Sequence, residues 1–172
     1  MIKALCTIGY EGASPEQFDA VLAGAGVDVV VDIREVTVSR RRGFSKTALA
    51  ARLADHGIGY LHLKGLGDPK PGRLAARAGD FAKFRHIFAD HMQSVEAQGD
   101  LRRLAEIVPT RRVALLCYEA EAIHCHRAIV ANWVAKLANI EIMHLRVDRS
   151  GAALGGHAGT MRHPGEGLAA AE

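Results

Sequence analysis

The sequence predicts an α/β protein, a three-layer sandwich in which helices flank a mostly parallel sheet. Short apolar runs recur along the chain, and each is bounded by glycine or charged residues, as buried strands are. Segments with apolar residues at helical spacing lie between these runs. The first strand, helix and strand fit within about thirty residues, the size of a βαβ unit with a right-handed, parallel crossover.

The five predicted strands are the runs 4–8, 29–33, 58–63, 113–117 and 140–145. The helix between the first two has a complete start signal, since Ser14 can cap it, Pro15 suits its first turn and Gln17 can close a capping box. Ser45 is expected to cap the next helix. Apolar periodicity predicts further helices near residues 81–92, 101–108 and 129–137. Residues 64–79, rich in glycine, proline and charge, are predicted to form a surface loop or lid.

Length and composition predict a single α/β domain over residues 1–147. Residues 148–172, where glycine, alanine and scattered charge dominate, are expected to form a flexible tail. Hydrophobic residues make up 49% of the chain, which argues against a disordered protein. The formal net charge of +3 is mild: it permits an anionic ligand but does not by itself indicate a nucleic-acid-binding surface.

The cysteine count and the start of the chain indicate a cytoplasmic protein. Three cysteines, an odd number, suit a reducing compartment in which thiols serve chemistry, metal binding or packing. The opening MIKALCTIGY predicts a strand rather than an export signal. No stretch approaches the ~18 apolar residues of a membrane span, so no membrane association is expected. Self-association into a homodimer stays open.

Polar side chains follow several of the predicted strands. Tyr10 and Glu11 follow the first, Arg34 follows the second, and Cys117 and Glu119 mark the end of the fourth. The carboxyl ends of parallel strands meet at one edge of a sheet, where ligands bind in folds of this class. We therefore expect a single polar site at that edge.

The segment CYEAEAIHCHR, residues 117–127, supports three hypotheses. In the first, Cys117 or Cys125 is a nucleophile, with His126 or Glu119 as base or orienter, and a helix starting nearby lowers the thiol pKa. In the second, the two cysteines and a neighbouring histidine hold zinc, although the segment has no CxxC pair. In the third, these residues are packed core groups with a hydrogen-bonded histidine.

The loop after the second predicted strand is strongly basic. Asp32 closes that strand and is expected to pair with Arg34. Arg34, Arg40 and Lys46 can form an anion clamp, because guanidinium groups bind phosphate or carboxylate bidentately. Alternatively, the Arg40–Arg42 loop grips nucleic-acid backbones, but few aromatic residues accompany it, so stacking on single strands is weakly indicated.

These segments resemble a bacterial and archaeal family known as domain of unknown function 488, over roughly residues 4–146. The matching pieces are TIGYEG (7–12), VDIRE followed by SRRRGFSK (31–46), GIGYLHLKGLG (57–67) and CYEAEAIHCHR (117–127). The last piece gives the pattern C-x-E-x5-C-H-R, the specific part of the resemblance. The chain departs from the family at Thr37, where proline is common. VVDIRE also looks like the Asp-x-Arg strand of rhodanese-type sulfurtransferases, a likeness of fold only.

The resemblance and the residue chemistry together give one expected site. Its catalytic residues are Cys117, Glu119, Cys125 and His126; its substrate-binding residues are Tyr10, Glu11, Asp32, Arg34, Ser39, Arg40 and Arg127. We expect a cysteine-dependent transferase or hydrolase that acts on a small anionic substrate containing phosphate, sulfur or a nucleotide. A nucleic-acid-binding module is the alternative and a zinc-binding protein the third possibility. No cofactor or metal is predicted.

Overall fold

The structure, a computed structural model, describes residues 4–148. A flexible tail was expected over residues 148–172, and residues 149–172 lie outside the described part of the chain. The strands are β1 (Ala4–Gly9), β2 (Val29–Asp32), β3 (Gly59–His62), β4 (Val113–Cys117) and β5 (Glu141–His144). The helices are α1 (Pro15–Gly24), α2 (Lys46–Asp55), α3 (Lys70–Arg77), α4 (Phe81–His91), α5 (Val95–Ile107) and α6 (His126–Ala138).

The five strands form one parallel sheet in the order β3-β2-β4-β1-β5, which confirms the predicted α/β sandwich. Successive side chains of a strand point to opposite faces, and each face has its own core. On β1, Leu5 packs on one face while Cys6 and Ile8 pack on the other. Burial on both faces explains why the central strands β1, β2 and β4 are short continuous apolar runs.

Helices cover both faces of the sheet. On one face, α1 and α2 bury Phe18 and Leu49. On the other, α4, α5 and α6 bury Phe88, Leu104 and Val130. Every helix within residues 4–148 is too short or too polar to cross a bilayer.

The carboxyl ends of β1 and β4 form the topological switch point of the sheet. These strands are neighbours, with Gly9 opposite Cys117. The chain leaves β1 through α1 toward β2, and it leaves β4 through α6 toward β5 on the other side. The two connections run in opposite directions across opposite faces of the sheet, and ligands bind at such strand ends in folds of this class.

Residues 64–79 are not the surface loop that the sequence predicted. They form a short 3₁₀ turn at Lys64–Leu66 and then helix α3. Proline does not prevent this helix, because Pro71 lies in its first turn, where the missing N–H has no helical acceptor.

The starts of α1 and α2 differ from each other. The capping box predicted for α1 is confirmed, with Ser14 Oγ accepting from the Gln17 amide and the Gln17 side chain accepting from the Ser14 amide. Helix α2 begins after Ser45 as predicted, but the Ser45 hydroxyl does not cap it. That hydroxyl accepts from the Ser39 amide at 3.0 Å instead and so fixes the basic loop.

Replacing Gly9 with alanine tests how tightly the switch point is packed. An added Cβ would lie 1.7 Å from the carbonyl oxygen of Glu119, which is backbone and can give way only if the loop after β4 shifts. We expect Gly9→Ala to lower the free energy of unfolding by about 3 kcal/mol in urea denaturation. Gly24→Ala is the control, because its Cβ meets nothing within 4 Å; it should be neutral or stabilising by up to ~1 kcal/mol. Equal stability of the two variants would contradict the packing described here.

Candidate functional site

Two thiols and a carboxylate meet at the carboxyl end of β4. The Cys117 thiol donates to Glu119 Oε2 at 3.0 Å, and the Cys125 thiol donates to the same oxygen at 3.2 Å. The two sulfurs and this oxygen all lie within 4.8 Å of one another. We call these three residues the thiol cluster. Glu119 is an exposed residue by its total surface, yet its carboxylate contacts the two buried sulfurs.

Arg127 fixes the loop that carries the thiol cluster. Its guanidinium donates from Nη1 to Cys117 Sγ at 2.9 Å and to the Glu119 carbonyl, and from Nη2 to the Ala120 carbonyl at 2.9 Å. Its Nε donates to Thr7 Oγ1 at 3.3 Å, which ties the loop to β1. Although only 1% of Arg127 is exposed, these bonds satisfy most of its donors, as a buried charge requires.

Helix α6 brings Cys125 and His126 to the cluster. Cys125 is the N-cap residue, and its sulfur accepts from the amide of Arg127 at 3.5 Å. His126 Nε2 lies 3.0 Å from the carbonyl of Ile33, which can only accept, so Nε2 carries the proton. In the neutral ring, His126 Nδ1 is therefore an acceptor, and it lies 3.6 Å from the sulfur of Cys125.

Burial sets the protonation of this pair. It raises the pKa of the Cys125 thiol well above its usual value, and the neighbouring Cys117 and Glu119 raise it further against the opposing effect of Arg127. Burial also lowers the pKa of His126, although Glu119 acts in the opposite direction. The expectation that the helix dipole lowers the thiol pKa is therefore wrong for Cys125, because the loss of solvation outweighs the dipole.

Glu119 behaves differently from the other members of the cluster. Burial opposes its ionisation, but the thiol hydrogen bond from Cys117 and the nearby His126 hold its pKa below the usual value. Glu119 is thus the negative charge of the cluster, and Arg127 lies beside it as the positive one.

Asp32 and Arg34 form a separate buried ion pair. Arg34 donates from Nε and Nη2 to the two Asp32 oxygens at 2.8 and 2.6 Å, which confirms the predicted pairing. Its Nη1 donates to the Tyr10 hydroxyl at 3.0 Å and to the Phe44 carbonyl at 2.9 Å, while Tyr60 donates to Asp32 at 2.6 Å. This network uses the guanidinium to hold the basic loop against the sheet.

The remaining residues predicted for the site divide between structural and exposed positions. Glu11 joins the loops after β1 and β4, because its carboxylate accepts from the Ala120 amide at 3.0 Å. Ser39 accepts from the Tyr10 hydroxyl at 3.2 Å. Arg40 is exposed and has no partner among residues 4–148. The structure therefore brings the four predicted catalytic residues together and places Arg127 among them, whereas Arg40 is exposed and hydrogen-bonds to none of them.

The Arg40–Arg42 loop, the predicted nucleic-acid interface, is partly held by the protein itself. Arg41 is partly buried and donates to the Ala13 carbonyl at 2.6 Å, so two of the three arginines are exposed. Two large apolar side chains of the same loop, Val36 and Val38, are also exposed. A phosphate-binding stripe would instead need several free cations along one surface.

Asp68 follows the third predicted strand but was not predicted to be a site residue. This residue follows the 3₁₀ turn after β3, is 6% exposed, and its Oδ1 has no hydrogen-bond partner among the described residues. Its position depends on Gly72, since a Cβ there would lie 2.1 Å from Asp68 Oδ1. Burial raises the pKa of Asp68 to about 7; Arg73 lowers it, while the charges of Glu119 and Glu35 raise it. Asp68 thus lies within electrostatic reach of the thiol cluster.

Two further side chains, those of Thr7 and Arg73, fix the backbone around the thiol cluster. Thr7 Oγ1, which accepts from Arg127, lies 2.7 Å from His144 Nδ1 on β5. Arg73 on α3 pairs with Glu35 and donates to the Asp68 carbonyl, so it anchors the turn after β3. The sequence carried no local signal for the Thr7–His144 and Arg73–Glu35 contacts, because each joins residues far apart along the chain.

A surface concavity of about 550 Å³ lies at the opposite, amino end of the sheet. Asp28, His56 and Arg111 are among its lining residues. None of the residues predicted for the site lines it. The chemistry of the side chains, rather than the size of this concavity, places the candidate site at the carboxyl ends of β1 and β4.

Residues 14–134 match the family described as Domain of unknown function DUF488. The chain belongs to this family. The matched residues include three of the four pieces that carried the resemblance, with the thiol cluster, His126 and Arg127 among them. No curated protein and no solved structure matches the DUF488 chain significantly. The family therefore identifies the chain without assigning an activity.

Asp68→Asn should stabilise the protein in a pH-dependent way. The folded-state pKa of about 7 lies above the usual 3.8. Ionisation of Asp68 therefore does not lower the free energy of unfolding at or below about pH 4, and it lowers it progressively as the pH rises to about 7. At about 1.36 kcal/mol per pKa unit, the full cost is on the order of 4 kcal/mol. Urea denaturation at pH 5 and pH 8 should show the larger gain at pH 8.

The control for this measurement is Asp55→Asn, which makes the same change at an exposed residue at the end of α2. We expect it to alter stability by less than ~0.5 kcal/mol. A gain for Asp68→Asn that is the same at both pH values would contradict a carboxyl group that titrates near neutrality.

Proposed function

We propose that this DUF488 protein is a cysteine-dependent enzyme, a transferase or hydrolase, in which Cys125 is the nucleophile. The single observation that carries the proposal is the contact between Cys125 Sγ and His126 Nδ1, with Nε2 of the same ring held by the Ile33 carbonyl. A nucleophile, a base within reach and a group that orients the base are the three parts of an activated nucleophile.

The resting pair is neutral. Burial raises the pKa of Cys125 and lowers that of His126, so the thiol keeps its proton and the imidazole is free to accept it. Attack of the sulfur on a substrate then transfers the thiol proton to Nδ1, as in a general-base mechanism. The imidazolium formed in this way lies near the negative Glu119, which favours it.

The other predicted catalytic residues have supporting roles in this proposal. Glu119 accepts the thiol hydrogen bond of Cys125 and offers a second route for its proton. Cys117 completes the cluster, and Arg127 holds its geometry. Because both thiols are buried, substrate access requires the loop 118–124 to move outward; its Tyr118 and Ile123 are exposed.

The substrate we propose is small and anionic, and its binding group is Arg40. The guanidinium groups of Arg34 and Arg127 bind protein acceptors, so they stabilise the site rather than contact the ligand. Arg40 is exposed in the loop after β2, on the same edge of the sheet as the thiol cluster.

Alkylation with iodoacetamide tests the nucleophile directly, with Cys6 as an internal control. Cys6 and Cys125 are 1% and 3% exposed, so access to solvent alone predicts similar rates. We expect Cys125 to react at least tenfold faster at pH 8, because His126 and Glu119 can take its proton. Peptide mass spectrometry of partly labelled protein measures both rates in one sample.

The matched variant for this experiment is His126→Gln, which keeps a hydrogen-bonding side chain but removes the base. It should bring the Cys125 rate close to that of Cys6 and leave Cys6 unchanged. Equal rates for the two thiols in the unmodified protein would refute the nucleophile.

A zinc site is a second candidate, because the thiol cluster has suitable ligands. Tetrahedral zinc with Zn–S of 2.3 Å and Zn–O of about 2.1 Å places sulfur and oxygen ligands about 3.6 Å apart. The observed distances from Glu119 Oε2 to the two sulfurs are 3.0 and 3.2 Å, so a small expansion would admit the ion. Cys117, Glu119 and Cys125 would then be three ligands, with one position open.

Elemental analysis of the pure protein decides between the two candidates. The enzyme proposal expects well under one zinc per chain after purification without added metal. If zinc is present at one per chain, and falls with Glu119→Gln but not with the control Glu16→Gln at an exposed position of α1, the zinc site replaces the thiol nucleophile.

A further inference from the structure

The arrangement of Cys117 and Cys125 has a feature that a single nucleophile does not need. Their sulfurs share one carboxylate oxygen and lie within 4.8 Å of each other. A disulfide requires the sulfurs to approach to about 2.05 Å, a movement of under 3 Å at the start of a helix and the end of a strand. Cys6, the third thiol, packs in the core on the other face of the sheet.

The surroundings of the two thiols differ in a way that assigns them separate roles. Cys125 has a base, because His126 Nδ1 lies 3.6 Å from its sulfur. Cys117 has a guanidinium, because Arg127 Nη1 lies 2.9 Å from its sulfur. A fixed positive charge stabilises negative charge that develops on a sulfur atom. Glu119 Oε2 accepts from the Cys117 thiol and can take its proton.

We infer that Cys117 and Cys125 form a dithiol pair that passes through a Cys117–Cys125 disulfide, with Cys125 attacking first and Cys117 resolving. This inference rests on the proposed nucleophile and assigns it a further class of substrate, two-electron oxidants of thiols such as hydroperoxides. A second thiol within reach is useful when the group on Cys125 is displaced by breaking a sulfur–oxygen or sulfur–sulfur bond. Water alone releases an acyl or phosphoryl group.

The reaction balances in three steps. The sulfur of Cys125 attacks the terminal oxygen of the hydroperoxide, the O–O bond breaks, and an alcohol leaves with the thiol proton, so Cys125 becomes a sulfenic acid. Cys117 then gives its proton to Glu119 and attacks the sulfur of Cys125. The S–O bond breaks, and the hydroxide leaves as water by taking that proton. Two external thiols reduce the disulfide and become a disulfide themselves.

The experiment uses the full-length, reduced and chelator-treated protein with hydrogen peroxide as the probe. We expect the free thiols to fall from three to one per chain, with a loss of two hydrogens in the intact mass. Peptide mapping should find Cys117 linked to Cys125 and Cys6 still reduced, and dithiothreitol should restore three thiols. Cys6→Ala is the matched control and should form the disulfide to the same extent.

Variants separate the two roles. Cys117→Ser should leave Cys125 as a sulfenic acid that dimedone traps, while Cys125→Ser should leave Cys117 reduced. Cys125 oxidised to a sulfinic acid beside a reduced Cys117 in the unmodified protein would overturn the inference, as would a disulfide that involves Cys6 or a second chain. The mapping of the unmodified protein decides this even if a variant does not fold.

The disulfide experiment can fail independently of the alkylation experiment that tests the proposed function. If Cys125 is alkylated much faster than Cys6 but no Cys117–Cys125 disulfide forms, the dithiol inference fails and the nucleophile stands. If Cys125 is neither alkylated faster nor oxidised, both fail.

Discussion

The candidate site depends on the buried guanidinium of Arg127. It reaches from α6 to Thr7 on β1, to the sulfur at the end of β4 and to two carbonyl groups of the following loop. A charge buried this deeply is tolerated only when its donors are satisfied, so the side chain and the loop fix each other. The thiol cluster exists because this loop is folded back over the strand ends. Removing the guanidinium would remove the bonds that hold the Glu119 and Ala120 carbonyls.

A second buried ion pair fixes the loop after β2, at the same edge of the sheet. Asp32 and Arg34 hold the basic loop through Tyr10 and Phe44, and Ile33 between them presents its carbonyl to His126. The backbone of β2 thereby orients the proposed base. The residues of this network contact no sulfur. They are linked to the thiol site because they fix the end of β2, directly before Ile33.

The sequence predicted the five strands, the parallel sheet and the gathering of Cys117, Glu119, Cys125 and His126, because these follow from local apolar runs and from topology. It did not predict α3, since glycine and proline dominate that segment and the packing that stabilises it involves distant residues. It missed Asp68 for the same reason: whether a carboxylate is buried depends on which helix covers it. The protonation of Cys125 was also misjudged, because the dipole of a helix can be inferred from sequence whereas the depth of burial cannot.

Cys125 is also the N-cap residue of α6, since its sulfur accepts from the Arg127 amide. Any covalent change at this sulfur alters the acceptor that caps the start of the helix, so the chemical state of one atom affects the backbone of its first turn. The amide of Arg127 belongs to the residue whose side chain holds the loop. An adduct on Cys125 would therefore weaken the N-cap of α6 next to the residue that fixes the loop after β4.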